Sequence, residues 1–225
     1  MGISARPIQG VLVQSGADRA ALVRRTYTLI FVSILVTIGG VALGLGQPSI
    51  MQAVVEHRFI TLLLTFAPLL AAMSFRDAFP ANIGLVFLFT FIEGVAISPI
   101  IYVMGREQPG VIAQAGFLTA ASFFGLTAYA WLSRRDFSAW GSFFFVGLIV
   151  LVITSLLNLF FQNQTASLWI AGATVLVFSG LLIYDTWRLK NVFGPNDYVI
   201  AAVTIYLDLL NMFMAILTLL GGRRR

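Results

Sequence analysis

Seven apolar stretches run along the chain, at 27–46, 59–75, 81–104, 111–132, 139–161, 168–187 and 199–220. Each is near the ~20 residues a helix needs to cross the hydrocarbon core of a bilayer. The breaks between them are short, which predicts consecutive helices lying side by side and antiparallel. Residues 1–26 are polar and carry Arg6, Arg19, Arg24 and Arg25. They read as a cytoplasmic tail whose last part is an interfacial helix. Residues 27–222 read as one membrane domain without a linker, and 223–225 as a basic end. The first run lacks a small-x-small cleavage site before Gln47-Pro48, so it reads as a retained helix rather than a signal peptide. Its Gly40 and Gly44 form a small-xxx-small pair suited to close helix packing. Asp136 or Ser138 is placed to cap the fifth helix, and Gly194-Pro195-Asn196 makes the turn before the last.

Composition fixes the class. Of 225 residues, 59% are hydrophobic and 10% charged, with a mean hydropathy of +0.94. A soluble domain of this length cannot hide that much apolar surface, so the fold expected is an all-α polytopic membrane protein. There is no cysteine and a single histidine, His57. That excludes a disulfide framework, thiol chemistry and a His/Cys metal cluster, and no cofactor is expected. The net charge of +5 lies almost wholly at the segment ends. There it sets topology and meets lipid headgroups, so nucleic acid is not an expected partner.

Seven spans put nine Lys and Arg residues on the side of the N-terminus and five on the other. This predicts a cytoplasmic N-terminus. The three terminal arginines, 223–225, are discordant. Either the last run spans against a weak terminal signal, or it dips in and returns, which needs protein or water around it.

Three acids fall inside the runs. Asp208 sits near the middle of the last, where a carboxylate costs roughly 2.5–3.5 kcal/mol on insertion scales and marks a functional-site candidate. Thr204, Asp208, Asn211, Ala215 and Thr218 recur at helical spacing and share one face. Asp185 lies near the end of the sixth run, on the same side of the bilayer. If the two helices pack, the carboxyls can meet, and a close pair should share a proton. The competing reading gives Asp185 a local partner in Arg188 at i+3. Arg76, ending the second run, reads either as a positive-inside anchor or as a counter-ion to the acids. Glu93, midway along the third, either lines a conduction path or is a protonated carboxyl bonded to a neighbouring helix. Ser98-Pro99 frees a backbone carbonyl one turn beyond it. Asn158 and Thr154 are candidates for interhelical hydrogen bonds.

Taken together, Tyr184-Asp185 and the stretch from Ile205-Tyr206-Leu207-Asp208-Leu209-Leu210-Asn211 through Leu219-Leu220-Gly221 resemble the end of the Bax inhibitor-one family. This is also called the transmembrane Bax inhibitor motif family. Asp136 to Phe143 with Asn158-Leu159-Phe160, and Gly94 to Ile100, resemble further parts of its bacterial members. The resemblance covers roughly residues 27–222. It implies a seven-helix bundle with a central last helix. It also implies a pH-sensitive cation leak, chiefly of calcium, closed by an Asp pair with an Arg as latch. Asp185, Asp208 and Arg76 match those family positions. Some bacterial relatives carry an acid within the second helix. Here residues 61–72 have none, while Glu93 stands on the third.

The expected function is therefore a calcium or cation leak of a bacterial inner membrane, with no enzymatic activity. Asp185 and Asp208 offer hard oxygen ligands, with Asn211 beside them, which suit Ca²⁺ better than a transition metal. Two other readings compete. One is a regulatory protein acting through contacts with membrane-protein partners such as proteases. The other is a proton-coupled transporter using the same acids. An intramembrane aspartyl protease is disfavoured, because residues 205–211 contain no glycine for the loop that carries its second acid.

Overall fold

In the computed structural model, residues 16–75 and 78–222 are described. Among them the chain forms eight helices and no strand: α1 (Gly16–Gly46), α2 (Pro48–Glu56), α3 (Arg58–Ser74), α4 (Ala81–Glu107), α5 (Val111–Leu132), α6 (Ser138–Phe161), α7 (Gln164–Asn191) and α8 (Tyr198–Gly222). Six of these are long and apolar enough to cross a membrane: α1 and α4 to α8. The bent pair α2–α3 gives a seventh if the two helices are counted as one broken span. The seven apolar runs thus correspond to α1 and α3 to α8.

Three local features differ from the sequence reading. From Gly16 onward the last part of the N-terminal tail and the first run are not separate elements, because α1 is a single 31-residue helix. At 1.5 Å per residue it measures ~46 Å, longer than the ~30 Å hydrocarbon core, so its Arg-bearing start projects beyond the apolar part. The break after the first run is also helical. Pro48 stands in the first turn of α2, where its missing N–H leaves no bond unmade. Ile50, Met51 and Val54 are half-buried on one face while Gln52 and Glu56, bonded at 2.7 Å, face out. At nine residues α2 is too short to register as a span, and the chain turns through 97° at His57 into α3. Thirdly, α5 and α6 follow one another without packing along their lengths. α5 lies against α7 and α8, whereas α6 leans on α7.

α8 is the centre of the bundle. It packs on α7, α1, α5 and α4. In its most apolar 18-residue window 56% of residues are buried, against 6% in α6. It is one unbroken helix of 25 residues, ~37 Å long, and so not a segment that dips and returns. At the periphery, α6 turns Phe143 and Phe145 outward, while Phe144 fills the space over Gly180 of α7.

The α1–α4 contact is a seam of small residues. A Cβ at Gly40 would meet the Phe91 carbonyl and the Gly94 backbone, and one at Gly44 would meet Ser98. Two i,i+4 pairs, Gly40/Gly44 and Gly94/Ser98, therefore bring the two backbones into direct contact.

Candidate functional site

α7 and α8 run antiparallel, joined by the turn at 192–197. The turn is tied from within: Asp197 Oδ2 accepts the Gly194 N–H at 2.7 Å, and the Arg188 carbonyl accepts the Val192 and Phe193 N–H groups at 2.8 and 2.9 Å. It is also tied from outside. Arg19 of α1 donates Nη1 to the carbonyls of Leu189 at 2.9 Å and Phe193 at 2.7 Å. These are carbonyls that the end of α7 leaves without helical partners. Lys190 does the same for α5, donating Nζ to the Trp131 carbonyl at 2.7 Å. Sequence reasoning counted Arg19 and Lys190 only as topology charges. A cation near a predicted helix C-terminus was the signal available, but Arg19 acts on a helix far along the chain.

The turn sets α7 against α8 so that Asp185 and Asp208 face each other, with their carboxyls close enough to interact. Both are buried, at 6% and 3% exposed. Asp185 Oδ1 accepts from Arg188 Nη1 at 3.0 Å, and the Thr204 hydroxyl stands on the same carboxyl. Asp208 Oδ2 is buried without a hydrogen-bond partner. The local ion pair with Arg188 and the approach to Asp208 therefore coexist. The Arg188 guanidinium lies over the Phe193 ring at 4.3 Å and keeps 28% of its side chain exposed, so it links the buried carboxyls to the surface. Arg76, the other candidate counter-ion, lies outside the described residues.

The polar stripe continues along α8. Asn211, Ala215 and Thr218 line a cavity of about 650 Å³ between α6, α7 and α8. Its other polar walls include Ser167 and Thr174 of α7, Asn158 of α6, and Arg58. Asp208 lies one helical turn, ~4.5 Å of rise, from Asn211. The two carboxyls thus stand between this cavity and the surface where Arg188 emerges. The cavity walls carry amides, hydroxyls and a guanidinium, and no carboxylate. Asn211 donates to the Leu207 carbonyl at 2.8 Å, which leaves its Oδ1 unused by that bond.

Asn158 is committed elsewhere. It donates to Ser167 Oγ at 2.7 Å and accepts the Asn163 N–H at 3.1 Å, stapling the α6–α7 turn. Thr154 bonds the carbonyls of its own helix. Glu93 is not on the cavity wall. It is half-buried on α4 and near Tyr206 of α8, and it makes no hydrogen bond or ion pair among the described residues. Tyr206 in turn shares a 2.7 Å hydrogen bond with Thr37 of α1. The carbonyl that Pro99 frees, that of Val95, is not left open. Ser98 Oγ donates to it at 2.8 Å.

As for metal, no group of three or more His, Cys, Asp or Glu side chains exists among the described residues. Asp185 and Asp208 supply hard oxygens from two carboxyls, enough to contact a passing cation but short of a 6–8-oxygen calcium cage.

This architecture defines a polytopic helical membrane protein with two buried acids on its central helix pair. A family profile described as "Inhibitor of apoptosis-promoting Bax1" matches residues 19–225, and the chain belongs to that family, the Bax inhibitor-one family. Among its relatives, mouse (Mus musculus) "Protein lifeguard 4" is 34% identical over 207 residues, covering 90% of this chain and 85% of its own. The "Golgi anti-apoptotic protein" of vaccinia virus is 33% identical over 212 residues, covering 90% and 85%. An "Uncharacterized membrane protein" of Vibrio cholerae is 34% identical over 206 residues, covering 89% and 88%.

Proposed function

We propose that the chain is a passive, pH-sensitive cation leak with Ca²⁺ as its principal ion, and that Asp185, Asp208 and Arg188 form its closed gate. The observation that carries this reading is Asp208, buried with its Oδ2 unpartnered and its carboxyl close to that of buried Asp185. Such an arrangement is costly unless the two groups share a proton or a cation. The gate closes when α7 and α8 are held together across the carboxyls. An ion in the Asn211–Thr218 cavity then stands one helical turn, ~4.5 Å of rise, from Asp208, and the paired carboxyls block its way to the surface. A change in protonation alters the charge held between the helices and shifts a two-state balance. Ca²⁺ is the cargo, met by carboxylate oxygens and the Asn211 amide. The N-terminus is cytoplasmic in this reading, and the membrane is the bacterial inner membrane.

The test is Ca²⁺ influx into dye-loaded liposomes containing the purified protein, with wild type beside Asp185→Asn and Asp208→Asn across pH. A profile that moves in both variants supports the gate. No flux above empty liposomes at any pH sinks the leak.

A second reading draws on the relatives, one of which carries the name of an anti-apoptotic protein. In it the chain regulates other membrane proteins through helix contacts and conducts no ion. A partner crosslinked in native membranes, together with silent liposomes, would favour it.

A further inference from the structure

At the end of the bundle that carries the α7–α8 turn lies a second cavity, of about 700 Å³. Its rim holds Arg24 and Arg25 of α1 with Asn196 and Tyr198 of the turn and α8. Its depth is apolar, with Leu29 and Val32 of α1 and Ile83 and Phe87 of α4. The gradient follows from helix geometry. Arg24 and Arg25 precede the apolar run of α1. Leu29 lies ~6–8 Å and Val32 ~10–12 Å further along the axis at 1.5 Å per residue. α4 begins at this same end, so Phe87 is deeper than Ile83 by about one turn. Neither arginine is in an ion pair among the described residues. Arg25 rests against the Tyr198 ring at 5.8 Å. The nearby Asp197 carboxylate is engaged with the Gly194 N–H.

Two exposed cations above an apolar groove between spanning helices match one class of ligand. We infer that this cavity binds a phospholipid with an anionic headgroup, from the leaflet at the α1 N-terminal end. Its phosphate would sit on Arg24 and Arg25, with an acyl chain along Leu29, Val32, Ile83 and Phe87. A soluble phosphate would use the rim and leave the groove empty. A zwitterionic lipid would use the groove and leave one cation unmatched. Basic pockets between helices at the membrane interface are suited to anionic headgroups in this way. The site also touches the α7–α8 turn through Asn196 and Tyr198, so its occupancy bears on the elements that hold Asp185 to Asp208.

The experiment is native mass spectrometry of the full chain in detergent, titrated with phosphatidylglycerol or phosphatidylcholine. Phosphatidylglycerol should be retained as one preferred adduct. The double variant Arg24→Gln/Arg25→Gln should weaken it about 30-fold, taking each interfacial arginine at its usual worth. The charge-matched Arg134→Gln/Arg135→Gln should leave it within about twofold, which separates a site from general surface charge. Ile83→Trp, which fills the groove without touching charge, should also weaken retention. Equal retention of both lipids, or an unchanged adduct in the Arg24/Arg25 variant, overturns the inference. So does displacement of the lipid by glycerol phosphate at equal concentration, which would make the rim a free phosphate site.

Discussion

Arg188 Nη1 stands 3.0 Å from Asp185 Oδ1, one turn apart on α7, while Asp208 approaches the same carboxyl from α8. With one proton between the two acids, the pair carries a single negative charge and Arg188 balances it. A second proton, taken up in acid, removes the charge that holds Arg188. Loss of the first proton, in alkali, leaves two like charges in a buried site. Both changes weaken the bond between the α7 and α8 carboxyls: alkali sets two like charges against each other, and acid replaces a charge-assisted hydrogen bond with a neutral one while freeing Arg188 within α7. Leak should therefore pass through a minimum and rise on either side. Asp208→Asn should abolish the alkaline rise, because only one carboxyl remains to ionise. Arg188→Gln should raise flux at the minimum, where the single negative charge is left unbalanced. Liposome flux across pH reads both, and a single monotonic profile shared by wild type and both variants would refute the charge accounting.

Arg19 offers a separate handle on the same turn. It donates to the carbonyls of both Leu189 and Phe193, across the gap from α1 to the end of α7. Hydrogen bonds involving a charged group are each worth roughly 1.5–3 kcal/mol. Arg19→Ala should loosen the turn at 189–197 while leaving the remote α6–α7 turn at 161–167 unchanged. Hydrogen exchange followed by mass spectrometry checks this. Faster exchange confined to 189–197 is the expected result, and uniform exchange in both turns would count against it.

Much of the fold is legible in the sequence because a bilayer imposes one length on every span. The runs at 199–220 and 168–187 are long, apolar and joined by a short Gly-Pro turn, so the approach of Asp185 to Asp208 follows from helix packing alone. What escapes is local or remote in a way that hydropathy does not record. α2 is nine residues long and reads as a connection. Arg19 and Lys190 cap foreign helices, yet carry the same charge that topology already accounts for. The Arg188–Asp185 ion pair is not readable from the sequence either, since i+3 spacing permits an ion pair without requiring one. Glu93 sits beside Tyr206 of α8 because α4 packs near that helix, a relationship between distant runs that no spacing encodes.

Gly40 and Gly39 are neighbours in sequence with opposite surroundings. A Cβ on Gly40 meets the backbone of Phe91 and Gly94, whereas one on Gly39 meets nothing within 4 Å. A backbone cannot yield as a side-chain tip can. Gly40→Val should separate α1 from α4 and lower thermal stability in detergent severely, on the order of 3 kcal/mol or more. Gly39→Ala should be neutral or slightly stabilising, by up to about 1 kcal/mol from helix propensity. Equal melting temperatures for the two variants would show that the α1–α4 seam is looser than its geometry.

Ser98 and Pro99 form a coupled pair within α4. Pro99 has no N–H, so the Val95 carbonyl loses its helical donor. Ser98 Oγ supplies a replacement at 2.8 Å. Ser98 is wholly buried, so Ser98→Ala leaves that carbonyl unsatisfied in a dry site, at about 1–3 kcal/mol. Pro99→Ala restores the backbone donor and makes the serine hydroxyl redundant. The loss on Ser98→Ala should therefore be large beside Pro99 and small beside Ala at 99. A double-mutant cycle on unfolding in detergent measures the difference, expected at about 1 kcal/mol or more in favour of coupling. Additive losses would mean that Ser98 acts through its contact with Gly44 rather than through the carbonyl of Val95.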